Sequence, residues 1–208
     1  MPDEYAIGGS IANHTATGYY IKRGITEIVE SAFYGASNLV NIDIPDSVTN
    51  IKQYAFSNCT SLALTSLPSG LTTVGEFAFQ NCAHLALTEL PNGITSIGTK
   101  VFYGCTNLAL TSLPINLATI GDEAFSRCSS LAISEIPQSV TTIIGYAFWR
   151  CTSLVSIEFK GTPNTLSAVA FDTCPNLLNI YVPWSEGAVA GAPWGAVNAT
   201  ITYDYVGA

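Results

Sequence analysis

Cys59, Cys82, Cys105, Cys128, Cys151 and Cys174 are the residues best suited to chemistry in this chain, and an even number of thiols is what a disulfide framework or a metal cluster needs. Their spacing points elsewhere. They follow one another at a single constant interval, each three positions after a phenylalanine, so all six fill one repeated column. A small apolar thiol packs well in such a column, and free cysteine is among the residues most often buried. Neighbours stacked at a strand spacing of roughly 5 Å satisfy the distance for a bridge, but their parallel side-chain directions do not favour its dihedral angle. The reading is six free structural thiols.

The two histidines add no reactive group. His84 stands in the column of Asn38, Ser61, Asn107, Ser130, Ser153 and Asn176, and is expected to make whatever hydrogen bond those polar residues make. His14 lies in the segment before the repeats. Neither histidine pairs with a serine, cysteine or carboxylate that breaks the repeat, so no nucleophile, base and orienting group assemble. A glycan-cleaving pair of carboxylates outside the repeat is missing too. The sequence therefore predicts no catalytic residue, no metal site and no cofactor, and the chain reads as a non-enzyme.

Two columns could instead make a binding surface. One is Asp43, Ser66, Glu89, Ser112, Glu135, Glu158 and Tyr181, an outward and largely acidic strip. A solvated face is the plainer account of such a row. The other is aromatic: Tyr34, Tyr54, Phe77, Tyr103, Tyr146 and Trp149, from two columns flanking the core phenylalanine. Exposed aromatics suit contact with protein or sugar; packing on one another from coil to coil is the plainer account.

What must position these residues is a strict repeat. Phe33, Phe56, Phe79, Phe102, Phe125, Phe148 and Phe171 recur at the interval of the cysteines, as do Leu39, Leu62, Leu85, Leu108, Leu131, Leu154 and Leu177. Ile28, Ile51, Val74, Ile97, Ile120, Ile143 and Leu166 form a further column, and Pro45, Pro68, Pro91, Pro114 and Pro137 another that returns at Pro183. A fixed period of this length marks stacked coils, each burying its side chains against the same side chains above and below. The phenylalanine column is the predicted spine of the core.

Within a coil, "SLALTSLP" reads as a short strand closed by proline, so successive strands lie parallel on one face. One feature resists this. Leu62 and Leu64 share a strand face by period two, but Leu67 is out of phase with both, so a bend is required. The outer coils place theirs differently, with Ile42 and Ile44 after Leu39, and Ile157 and Phe159 after Leu154. The coils of Leu64, Leu87, Leu110 and Ile133 thus either differ in strand geometry or expose an apolar stripe. Residues 1–23 and 184–208 fall outside the repeat frame, and are expected to be an N-terminal and a C-terminal cap on a solenoid spanning 24–183, the whole forming one structural domain. Trp184 and Trp194 suit a lid, and "NATITYDYV" a final strand.

Composition agrees. Of the 208 residues 48% are hydrophobic, ample for a continuous core, and 11% are charged, far below the usual quarter. The balance is acidic, with 15 Asp plus Glu against 7 Lys plus Arg, which argues against nucleic acid and anionic membranes as partners. No run approaches a membrane span. The opening "MPDEYAIGGS" carries acids where a secretory signal needs a basic stretch and lacks the apolar run that follows it, so the expectation is a chain made in the cytoplasm and not exported by a cleaved signal.

The phrase "IGDEAFSRCSSLAISEIP" and its copies resemble the BspA-like leucine-rich repeats, the cysteine-containing bacterial type, over roughly residues 24–183. Ala36 replaces the cysteine in the first copy, and the stretch around Lys160 loses proline and glycine of the pattern. The resemblance implies a curved leucine-rich repeat solenoid of about seven coils that binds other proteins or host surfaces, including their glycans. The end "IYVPWSEGAVAGAPWGAVNATITYDY" resembles leucine-rich repeat proteins of tailed bacteriophages and prophages. That second resemblance implies a virion component with a tail or host-recognition role, within a larger assembly and as a homo-oligomer of fibre type. The alternative is a bacterial cell-surface, adhesin-like protein.

Overall fold

The computed structural model describes residues 18–21 and 23–207. Among them there is no helix, and thirteen short strands follow in order: β1 (Gly18–Tyr20), β2 (Glu27–Ile28), β3 (Asn41–Asp43), β4 (Asn50–Ile51), β5 (Thr73–Val74), β6 (Ser96–Ile97), β7 (Thr119–Ile120), β8 (Glu135–Ile136), β9 (Thr142–Ile143), β10 (Ser156–Phe159), β11 (Thr165–Leu166), β12 (Asn179–Tyr181) and β13 (Thr200–Thr202). All pairings are parallel, and all but one join residues a single repeat apart, as Ile120 joins Ile143. The molecule is a β-solenoid of about eight coils.

The ladder that runs most of its length is not the leucine strand. It is the Ile/Val column, whose two-residue strands stack as β2-β4-β5 and as β6-β7-β9-β11. On the leucine side, β1 pairs with β3, and β8, β10, β12 and β13 form a second sheet. Between these, the three "LALTSLP" and "LALTELP" phrases form no strand, a correction to their reading as one. The physical reason is the phase shift. Leu87 and Leu110 are fully buried, and Leu90 and Leu113 are nearly so. Turning all three leucines of a phrase inward demands a bend that breaks the extended backbone. Single bonds carry the pairing there: the amides of Ala86, Ala109 and Ala132 donate to the carbonyls of Leu64, Leu87 and Leu110 at 3.0–3.1 Å. The central coils therefore differ in geometry; Leu64 alone of the four stays partly exposed.

The phenylalanine column is the core's spine. All seven rings are fully buried. Consecutive rings stack with centroids 5.0–5.7 Å apart and planes within 13° of parallel, inside the range of favourable offset stacking. The backbone is tied at the same place, the Phe56 amide donating to Ala78 and the Phe102 amide to Ala124 at 2.8 and 2.9 Å.

From Phe33 to Phe148 the chain turns around each phenylalanine instead of winding a helix, because two residues there are left-handed; around Phe171 one is, Thr173. Tyr54, Phe77, Lys100 and Glu123, two before a phenylalanine, have φ of 53–59°, and Asn58, Asn81, Arg127, Arg150 and Thr173, two after, have φ of 56–63°. Gly104 and Gly35 fill the latter column where the sequence can relax it.

At both ends the repeat geometry runs on past the frame read from the sequence. Gly18–Tyr20 pairs with Asn41–Asp43 at the repeat interval, and the Ile21 amide donates to Asp43, so the repeat geometry reaches back into the segment expected to cap it. At the other end Trp194 stands one full repeat after Phe171, fully buried, and the Phe171 amide donates to its carbonyl. Asn179 then pairs with Thr200 and Ile180 with Ile201, a shorter step than every other pairing takes. The C-terminal segment thus continues the solenoid, and its strand, Thr200–Thr202, lies in the expected "NATITYDYV".

Candidate interaction surface

Every thiol is free and buried. Each donates to the carbonyl of the phenylalanine 26 residues earlier, from Cys59 to Phe33 through Cys174 to Phe148, at 3.0–3.1 Å. Burial pushes Cys59 up to about 12 and Cys174 to about 11, and the four between them well above the ordinary 9.0. Nucleophilic or metal-binding thiolates do not form under such conditions. Among the described residues no cluster of histidine, cysteine and carboxylates has the arrangement of a metal site.

His84 behaves as its column does. Its Nδ1 lies 2.7 Å from the Thr60 carbonyl, 24 residues earlier, and Ser153 and Asn176 donate to Ser129 and Thr152 at the same offset. His14 lies outside the described residues.

The acidic column keeps its geometry, and part of its charge is paired. Asp43, Glu89 and Glu135 are exposed, while Glu158 and Tyr181 are half-buried. Glu135 and Glu158 stand opposite each other in β8 and β10, and Lys160 bridges them, 3.3 Å from Glu135 and also paired with Glu158. The hydrogen bond to Glu158 holds the Lys160 ammonium above its ordinary value. Tyr181 packs on Tyr205, centroids 4.7 Å apart. One lysine offsets one of the four carboxylate charges, and Asp43 and Glu89 stand apart from that pair, separated by Ser66.

The aromatic set divides in two. Toward the N-terminus Tyr34 meets Tyr54 edge-on at 6.3 Å, and Tyr54 stacks on Phe77 at 4.8 Å. Toward the C-terminus Tyr103, Tyr146 and Trp149 interleave with cations. The Arg127 guanidinium lies 5.5 Å from the Tyr103 ring centre and 5.0 Å from that of Trp149, and Arg150 lies 4.4 Å from Trp149. Lys100 sits 5.6 Å from Tyr103 and pairs with Glu123 at 3.2 Å. Tyr146 meets Trp149 edge-on at 6.4 Å.

This ladder has a local origin. Tyr103 and Trp149 are one residue after the core phenylalanine, and Arg127 and Arg150 two after, at the left-handed position that swings the side chain across the turn. Sequence reasoning found the rings and missed the arginines. Their shared column, with Arg150 one repeat after Arg127 and next to Trp149, was the available signal. Arg127 and Arg150 are exposed, and Tyr146 is 42% exposed, so the ladder faces solvent.

The family profile described as the BspA type leucine rich repeat region matches six copies, over residues 26–154 and 72–188. No curated protein matches the chain. Among solved structures, the T. pallidum leucine rich repeat protein TpLRR is 28% identical, with 80% of this chain aligned to 72% of that one at a TM-score of 0.50. A leucine-rich repeat protein from Bacteroides ovatus is 23% identical, covering 93% of this chain and 63% of that one at 0.51. The pneumococcal vaccine antigen PcpA is 21% identical, covering 87% and 45% at 0.54, so the chain spans less than two thirds of these last two. Leucine-rich repeat solenoids are typically non-enzymatic scaffolds that mediate protein binding, and with more than half its length matched this chain belongs to their BspA type.

Proposed function

We propose that this chain is a non-enzymatic recognition module whose contact face is the return side carrying Tyr103, Arg127, Trp149 and Arg150. One observation carries the reading: solvent-facing tryptophan, tyrosine and arginine, held in register by a rigid core, are the residue types enriched where binding energy concentrates. The acidic column is the weaker face, since Lys160 offsets half the charge of its paired carboxylates, Glu135 and Glu158.

The partners are other proteins or host-surface glycans, with no nucleic acid. The C-terminal sequence resemblance supports a virion component, in a tail or host-recognition role, built from several copies. A second reading, a bacterial surface protein of adhesin type, is supported by the 28% identity to a bacterial leucine rich repeat protein. Mass spectrometry of density-purified particles from induced cultures, against surface-shaved peptides from intact cells, separates the two. Binding itself is tested with the variant carrying Tyr103→Ala, Arg127→Ala and Trp149→Ala: at unchanged melting temperature it loses attachment to the target surface, and full attachment would overturn the assignment.

A further inference from the structure

We infer that the return side contains a subsite for a single neutral sugar ring, bounded by Glu123, Tyr146, Trp149 and Asp172. The inference rests on the recognition reading above and gives it a ligand class. These four side chains line a pocket of about 330 Å³, at the small end of ligand-binding pockets, which run from roughly 300 to 1,000 Å³. Its two rings meet edge-on at 6.4 Å, so they form adjoining apolar walls and not one closed stack. The C–H faces of a pyranose match such walls.

Charge decides among the ligands an aromatic pocket accepts. Glu123 and Asp172 present carboxylate oxygens, which only accept hydrogen bonds. Arg150 and Arg127 over Trp149, and Lys100 on Glu123, present groups that only donate. An ammonium ligand would meet the two arginines over Trp149 and the lysine paired with Glu123. A carboxylate or phosphate would meet two carboxylates in the pocket itself. A sugar hydroxyl both donates and accepts, so a neutral polyol satisfies both sets without adding to the charges around the site, which are Glu123, Asp172 and Asp122, whose carboxylate accepts from the Tyr146 amide at 3.1 Å, against Lys100, Arg127 and Arg150. The pocket is also built into the repeat: Glu123 and Tyr146 share one column and Trp149 and Asp172 another, so four side chains from three consecutive coils converge.

The site has its own reporter. Of the three tryptophans Trp184 and Trp194 are buried and Trp149 is half-exposed, so a ligand here changes the fluorescence of Trp149 against an unchanging background. The experiment titrates the whole chain with neutral hexoses and N-acetylhexosamines, in parallel with tetramethylammonium, lysine amide and glucuronic acid. The expected result is a saturable shift with at least one neutral sugar at a Kd on the order of 1 mM, weakened at least tenfold by Tyr146→Ala and by Asp172→Asn, neither of which lowers the melting temperature. Saturation by the cations or the acid in place of a neutral sugar, a response indifferent to both substitutions, or no response to any sugar would overturn the subsite. No sugar response with surface attachment intact removes the subsite and leaves the recognition reading standing; loss of both removes both.

Discussion

At the residue scale the cysteines show how a column converts reactive chemistry into structure. Each thiol is buried beside the preceding coil's phenylalanine turn and spends its proton on that phenylalanine's carbonyl. Native labelling by a thiol reagent should be slow and denatured labelling should reach all six; rapid native modification of most of them would refute the arrangement. The pKa direction sets a pH dependence. Folded thiols hold protons that unfolded thiols release near 9.0, so the contribution is complete below that pH and is lost as pH climbs through about 11 for Cys174 and about 12 for Cys59. The drop in melting temperature between about pH 8 and about pH 10.5 should be smaller in Cys105→Ala than in the parent. An equal drop would show that the buried thiols are not titrating. Thr173, β-branched at φ 56°, is the most strained member of its left-handed column. Thr173→Gly should stabilise by up to about 1 kcal/mol in chemical denaturation, since a left-handed L-residue costs roughly 1–2 kcal/mol and glycine's extra entropy offsets part of that gain.

At the scale of elements, what was legible were the positions that repeat without exception. The phenylalanine, cysteine and Ile/Val columns are where the sequence places them because each identity is dictated by an identical neighbour one coil away. Phe102→Ala should cost about 3–5 kcal/mol, the range for emptying a large buried aromatic; a melting temperature within a degree or two of the parent would remove the ring from the spine. The backbone approaches more closely still at Gly75, where a Cβ would lie 2.4 Å from the Gln53 amide nitrogen. Gly75→Ala should therefore destabilise by about 1–3 kcal/mol, as overpacking does, and a neutral effect would mean the coils can slide apart locally. The strand state of "LALTSLP" was not legible. The sequence shows that Leu62, Leu64 and Leu67 conflict in phase, but whether the conflict ends in exposure or in a bend depends on the room the neighbouring coils leave. They leave room for burial in the coils of Leu87 and Leu110 and only in part in that of Leu64, and the ladder is surrendered in all three.

Over the whole molecule the repeat extends beyond its sequence signature at both ends. The pairing of the end strands could not be read from columns, because Gly18–Tyr20 and Thr200–Thr202 keep the backbone pairing while replacing the leucines and prolines that announce a coil. Trp194 was legible as large and apolar, and its place one repeat after Phe171, in the phenylalanine column, was the overlooked clue. The binding face shows the same limit. Its rings could be found by column, but the arginines that complete it depend on a left-handed turn that no residue type requires. The central claim is that one repeat, like on like, orders the molecule from the first strand to Phe171 and carries Trp194 into the same column, and so fixes the surface it presents. Truncation after Pro183 tests it most directly. It removes Trp194 from above Phe171 and β13 from β12, exposing core and an unpaired edge. The expected result is a markedly lower melting temperature with aggregation; a truncated chain that stays monomeric and melts with the parent would contradict the claim.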